Sequence, residues 1–191
     1  MFTGRPVLDD LRAYLPATLE ITAVGITLAL LIGVPAGVFS AIYRNRWPDQ
    51  IARGLALTGV SFPVFWLALM LQLVLAVSLD LLPIGGRFPA VYKGPAAVTG
   101  FYTLDFAVAR DPAGVWLALR HLLLPALCLA VGSIASITRI TRTSVLDVLG
   151  RDYIRTSRAM GLPERVVIGK YVLKNAFIAT LTMLGVALTY M

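Results

Sequence analysis

The sequence predicts an all-α fold, a polytopic bundle of membrane-spanning helices, on three observations. Of its 191 residues 58% are hydrophobic and 14% charged, with a mean hydropathy of +0.81, which leaves too little polar surface for a water-soluble domain. The apolar residues gather into four long runs, and a hydrocarbon layer about 30 Å thick needs about 20 of them in helix. The basic residues, which give a formal net charge of +7, collect at the ends of these runs, where cytoplasmic membrane loops carry them. No basic groove with interleaved aromatics accompanies that charge, so nucleic acid is not an expected partner. The lone Cys128 lies in an apolar run and excludes an internal disulfide framework.

Residues 1–13 carry Arg5, Pro6, Asp9, Asp10 and Arg12 without the apolar core of a signal peptide, and read as an external N-terminal segment. The first span runs from about Thr18 to Tyr43. Within it Gly33-Val34-Pro35-Ala36-Gly37 has the small-xxx-small spacing that admits a second backbone, and Pro35 kinks its own helix; helix packing and a gating hinge are both open to it. The second span runs from about Leu55 to Leu79, with Pro63 placed early, where a broken helix would line a path. The third runs from about Leu117 to Ile137. The last begins near Tyr171, and the sequence stops at Met191 inside an apolar run, so a fragment is expected, lacking an upstream helix and the C-terminal part.

Charge sets the orientation. The loop between the first two spans has Arg44, Arg46 and Arg53 against Asp49. The loop after the third, 139–170, opens a stretch with Arg139, Arg142, Arg151, Arg155, Arg158, Arg165, Lys170 and Lys174 against Asp147, Asp152 and Glu164. Between them, Asp80 to Trp116 balances Arg87, Lys93 and Arg110 with Asp80, Asp105 and Asp111. Both basic loops are therefore expected in the cytoplasm and the Gly/Pro-rich middle segment outside, as a re-entrant or interfacial cap with little regular structure. Deep in the spans the polar side chains are Gln72, Ser133, Ser136 and Thr138. Gln72 reads as an interhelical hydrogen bonder, with a substrate ligand the other reading. A charge at mid-membrane would cost at least about 2.5–3.5 kcal/mol and mark an ion path; the spans show none, which argues against proton coupling. Arg120-His121 reads as an anchor at the outer boundary of the third span.

The basic loop has internal order. From Arg151 to Met160 the helical period puts Arg151, Arg155 and Arg158 on one face, and Tyr153 and Met160 on the opposite face with Thr156 and Ser157 beside them. Gly161 suits a left-handed C-cap, and Pro163-Glu164 suits the start of a second helix, so two helices meet at a sharp corner. Such a corner fits either a layer of anionic headgroups or a cleft in a cytoplasmic protein, and pattern alone leaves both open.

The stretch Asp152-Tyr153-Ile154-Arg155-Thr156-Ser157-Arg158-Ala159-Met160-Gly161-Leu162 closely resembles the cytoplasmic loop of the membrane subunits of binding-protein-dependent ABC importers, in the dipeptide, oligopeptide and nickel permease branch. Of the general Glu-Ala-Ala form of that motif only Gly161 and Leu173 are matched, and the departure is typical of the branch. The resemblance extends to Leu15-Pro16-Ala17-Thr18-Leu19-Glu20, Pro63 with Phe65-Trp66-Leu67, Leu82-Pro83 with Gly85-Gly86, His121 with Leu124-Pro125-Ala126, and Arg139, Thr141-Arg142 and Ser144.

The resemblance implies a type I ABC importer membrane domain over 14–191, with about four of six spans present, in the bacterial inner membrane. It also implies a second permease subunit, two cytoplasmic ATPase subunits and an external solute-binding protein as partners beside the lipid bilayer. It makes Asp152, Tyr153, Arg155, Thr156, Ser157, Arg158, Ala159, Gly161 and Leu162 the ATPase-coupling loop. Gly33, Pro35, Gly37, Pro63, Gln72, Ser133 and Ser136 are the candidates for pathway or helix packing. The chain has no Gly-x-x-x-x-Gly-Lys-Ser/Thr phosphate loop, so ATP and Mg are expected on the partner ATPases, with no cofactor, metal or catalytic residue here. A secondary transporter or channel subunit, the alternative, would call for mid-membrane charges or a selectivity filter.

Overall fold

A computed structural model describes residues 6–88, 92, 94 and 98–190, without the side chains of 187–190; Arg5, Pro89, Lys93 and Met191 lie outside the described residues. Every regular element among them is helical. α1 spans Val7–Ile42, α2 Trp47–Ser61, α3 Val64–Leu71, α4 Tyr102–Val108 and α5 Pro112–Leu149. α6 spans Asp152–Ala159, α7 is the short turn Glu164–Val166, and α8 spans Leu173–Tyr190. A π-helical stretch, Gln72–Ser78, continues α3, and a second, Val167–Val172, joins α7 to α8.

Among the described residues three stretches are long and apolar enough to cross a membrane, Val7–Ile42, Pro112–Leu149 and Glu164–Val186, and Trp47–Ser61 with Val64–Ser78 makes a fourth if counted as one broken span. The spans sit where the apolar runs put them, but the helices outrun the runs. α1 starts at Val7 instead of Thr18 and continues through Pro35. α5 covers 38 residues, passes through Pro125, and reaches Leu149, so the first eleven residues of the loop expected over 139–170 are helix continuous with the span. The reason is that no glycine or proline stands in residues 138–149 to stop the helix before Gly150. The middle segment, expected to have little regular structure, contains α4.

The break in the second span is local in origin. Proline disfavours helical backbone in the residue before it, and Phe62 is extended, with φ −90° and ψ 137°. α5 begins on an N-cap: the Gly114 N–H donates to Asp111 Oδ1 at 3.0 Å, and Pro112 takes the first helical position, where no N–H is needed.

The chain divides into two compact units, one from residues up to Gly25 with Val64–Leu129, the other from Ile26–Pro63 with the residues from Ala130 onward. In the first, Ala76, Leu124 and Cys128 form a small core with Ala68, Leu71 and Leu82. In the second, Ala29, Ala130 and Ile137 form one core, and Ala41, Val145, Ile154, Val167, Val172 and Ala176 a larger one. Leu31, Phe39, Leu55, Leu57, Val60 and Phe65 are exposed, which suits surfaces whose solvent is hydrocarbon.

Candidate functional site

The corner after α5 is the best-defined polar feature of the second unit. α6 has Asp152 in its first turn and Arg158 in its last, each charge opposing the helix dipole. It ends in a Schellman motif: the Leu162 N–H donates to Ser157 O at 3.3 Å and the Gly161 N–H to Arg158 O at 3.0 Å. Gly161 has φ +75°, the left-handed region, and no atom lies within 4 Å of where a β-carbon would stand. A side chain there is opposed by the backbone alone. Pro163 is the N-cap of α7, one place before the first helical position expected for it.

The face that α6 buries is neither of the two set apart by helical period. Tyr153 and Met160, opposite the arginines, are 43% and 69% exposed. Ile154 and Ser157 point inward, and Ile154 enters the core formed by Ala41, Val145, Val167, Val172 and Ala176, with Leu162 packed beside it. One isoleucine, fitted to Ala41 more than 100 positions upstream and to Val145, Val167, Val172 and Ala176 outside the helix, decides the orientation, and helical periodicity within eight residues cannot weigh that. Ser157 is accommodated because its hydroxyl donates to Tyr153 O at 2.7 Å. The outward surface is then Asp152, Tyr153, Arg155, Thr156, Arg158, Ala159, Met160 and Gly161. Nor are the arginines a uniform stripe. Arg158 forms a two-point ion pair with Glu164 across the corner, at 2.6 and 3.2 Å, while Arg155 lies 3.8 Å from the exposed Asp152.

A second polar constellation in this unit was not singled out from the sequence. Asp49, on the third residue of α2, is fully buried, and Arg142 of α5 holds both its oxygens, Nε to Oδ1 at 2.7 Å and Nη2 to Oδ2 at 2.9 Å. Ser40 of α1 donates its hydroxyl to Oδ1 at 2.6 Å, and the Asn45 N–H donates to Oδ2 at 2.9 Å. Asn45 itself is left-handed, φ 61°, which turns the chain from α1 into α2. The sequence signals an acid in a first helical turn, but the partner is 93 residues away and leaves no local trace.

The other candidates are distributed. Gly33 and Gly37 face α5 closely: a β-carbon on Gly33 would come within 2.9 Å of Ile137, and one on Gly37 within 2.7 Å of the Thr138 carbonyl. Thr138 donates its hydroxyl to Gly33 O at 3.3 Å. Ser136 lines a cavity of about 330 Å³ with Arg53, Leu57, Val60, Arg139 and Arg142, while Ser133 is half-buried on α5.

In the first unit Gln72 donates to Ile84 O at 3.1 Å; its partner is an irregular segment, not the second helix expected. Beside it a cavity of about 440 Å³ is lined by Pro83, Gly86, His121 and Pro125. Arg120 donates twice to Leu81 O, and His121 Nδ1 lies 3.0 Å from Gly85 O. The same unit holds the middle segment by a carboxylate: Glu20 takes Arg87 at 2.8 Å and the Thr103 N–H and hydroxyl at 2.7 and 2.6 Å, with Arg87 stacked 3.8 Å over Tyr102. Asp105 stays below the usual carboxylate range: burial pushes it up, but the Thr99 hydroxyl and the Thr99 and Gly100 N–H groups outweigh that. Among the described residues no group of His, Cys, Asp or Glu is placed to hold a metal.

Comparison with known proteins gives this arrangement its setting. Residues 33–191 match the family described as binding-protein-dependent transport system inner membrane component. A probable D,D-dipeptide transport system permease protein of Escherichia coli K12 is 46% identical over 186 residues, 97% of this chain and 55% of the relative. A dipeptide transport system permease protein of Alkalihalophilus pseudofirmus is 42% identical over 96% of this chain and 55% of its own. A protein of E. coli K12 named as a putrescine export system permease is 32% identical over 98% of this chain and 59% of its own. The chain spans a little over half the length of the curated relatives it matches.

Proposed function

This chain belongs to the family of inner membrane components of binding-protein-dependent transport systems, and from that premise we propose that it is the membrane-embedded half of a peptide permease subunit in an ATP-driven importer. The observation that carries the reading is the corner at Gly161, whose exposed face is a shaped, charged surface backed by a packed core. A second permease subunit completes the pathway, two ATPase subunits dock at the corners and hydrolyse ATP with Mg, and an external binding protein delivers the solute. The chain supplies no phosphate cradle of its own. The basic corner faces the cytoplasm and the segment holding α4 faces outside, by the excess of arginine and lysine. A short peptide is the solute class in the names of two relatives; the third is named for a polyamine and for export.

The test is transport by the full-length permease pair, reconstituted in vesicles with its ATPases and binding protein. ATP-dependent dipeptide uptake is expected, with no hydrolysis by the permease alone; hydrolysis without the ATPases, or putrescine efflux in place of uptake, overturns the reading. For sidedness, an impermeant thiol reagent added outside intact cells should label Val108→Cys and spare Arg151→Cys.

A further inference from the structure

We infer that Asp49 and Arg142 are positioning residues that carry the movement of the corner into α2, so that α2, the end of α1 and the inner part of α5 move as one body. The inference rests on the proposed docking of ATPases at the corner and adds the route by which that docking reaches a span.

The route is continuous and lies within one unit. Ile154 of α6 shares a core with Val145 of α5, Ala41 of α1 and Val172 and Ala176 beyond the corner. A push on α6 therefore moves α5 and α1 together, since close-packed cores do not deform gradually. α2 has no residue in that core. Beside the short turn from α1 and the close approach of Gly59 to Val131 of α5, its polar tie to both is the carboxylate of Asp49, held by Arg142 from α5 and Ser40 from α1. Arg142 lies one helical turn before Val145, so the tie and the core act on the same stretch of α5.

The chemistry suits a rigid tie. All four contacts fall between 2.6 and 2.9 Å, the range of charge-assisted bonds. Two parallel N–H bonds from one guanidinium fix angle as well as distance, which a lysine could not do. Asp49 is fully buried and the Arg142 side chain is 19% exposed, so the attraction is screened less than on an open surface and the carboxylate has no water to exchange to. Stability alone is a poor explanation for such a pair, because well-packed apolar residues do as well or better. A linkage that must hold its geometry while the helices around it are driven is a different requirement. α2 then delivers the displacement as far as the break at Phe62-Pro63.

The experiment uses the full-length permease pair with its ATPases and binding protein in vesicles. Asp49→Asn keeps the shape of the side chain and removes the charge. ATPase co-purification and basal hydrolysis should stay near those of the unmutated complex, while peptide moved per ATP falls about tenfold. The double variant Asp49→Asn/Arg142→Gln, which can remake an amide pair, should recover part of that ratio. A loss of transport matched by loss of folded complex, at an unchanged ratio per ATP, overturns the inference.

A measurement that leaves the tie intact decides the case even if these variants fold badly. Spin labels at Arg53 on α2 and Arg139 on α5, both exposed, should keep their separation within about 2 Å through the ATP cycle; a larger change means α2 moves independently. If the unmutated complex binds no ATPase, the proposed function fails, whereas a changed label separation with the ATPases bound and cycling overturns the tie alone.

Discussion

The second unit holds two ion pairs of opposite character. Asp49–Arg142 is bidentate, with a fully buried carboxylate and a guanidinium only 19% exposed, and joins residues 93 positions apart, whereas Arg158–Glu164 spans six positions on a surface where both partners are about half exposed. Distances hardly separate them, at 2.7 and 2.6 Å for the shortest contacts. Burial does. In water a broken pair finds solvent at little cost, while in a packed interior the survivor keeps a charge with nowhere to go. The contrast teaches that the corner owes its shape to backbone and core, and the junction of α1, α2 and α5 owes its shape to charge.

The sharpest way to break that comparison is to remove one buried partner. Asp49→Ala leaves the Arg142 guanidinium unpaired and should cost about 3 kcal/mol, the low end for a buried pair because that side chain is 19% exposed, read as thermal unfolding of the purified permease in detergent. A cost below about 1 kcal/mol would make the two pairs alike. At the corner the larger effect should come from a residue with no charge at all: Gly161→Val places a β-branched side chain at φ +75° and should cost about 1–2 kcal/mol. That variant should still insert in the membrane but lose ATPase co-purification, because the cap sets the angle of the exposed face. Smallest of all should be Arg158→Gln, at about 0–1 kcal/mol, and adding salt to the unmutated protein should erase the same increment. A salt-independent loss of several kcal/mol would move Arg158 into the company of Arg142.

What the sequence made legible follows the range of the interactions involved. The spans, the break at Pro63, the left-handed cap at Gly161 and the close approach at Gly33 and Gly37 are written in runs, spacings and single residues with restricted backbones, and each reads locally. The buried face of α6 is not legible, because Ile154 is one apolar residue in a polar helix, and its core is assembled from α1, α5 and the stretch beyond the corner. Asp49 reads as a loop charge, and Arg142 as one of the basic residues leading into the corner that share in the family resemblance; nothing near either announces the other. The carboxylate of Glu20, which gathers Arg87 and Thr103, was hidden for the same reason, at separations of 67 and 83 residues. Residues 139–149 were assigned to a loop because charge was taken as a sign of the water phase, and a helix can enter water without ending.

The π-helical stretch Val167–Val172 sets the phase of everything beyond it. A π turn holds one residue more than an α turn, and one residue on an α-helix is a rotation of about 100°. Beyond this stretch Ala176 enters the larger core and the Thr180 hydroxyl meets that of Thr141, 3.0 Å away in a buried site. Deleting a single residue from Val167–Val172 would let the stretch relax to α-helix with α8 in its present phase, whereas an insertion or deletion between Leu173 and Thr180 would turn Thr180 away from Thr141 with no slack to absorb it. The contact of the two threonines therefore works as an index mark, and the irregular turn before Thr180 is where the chain length can change without moving it.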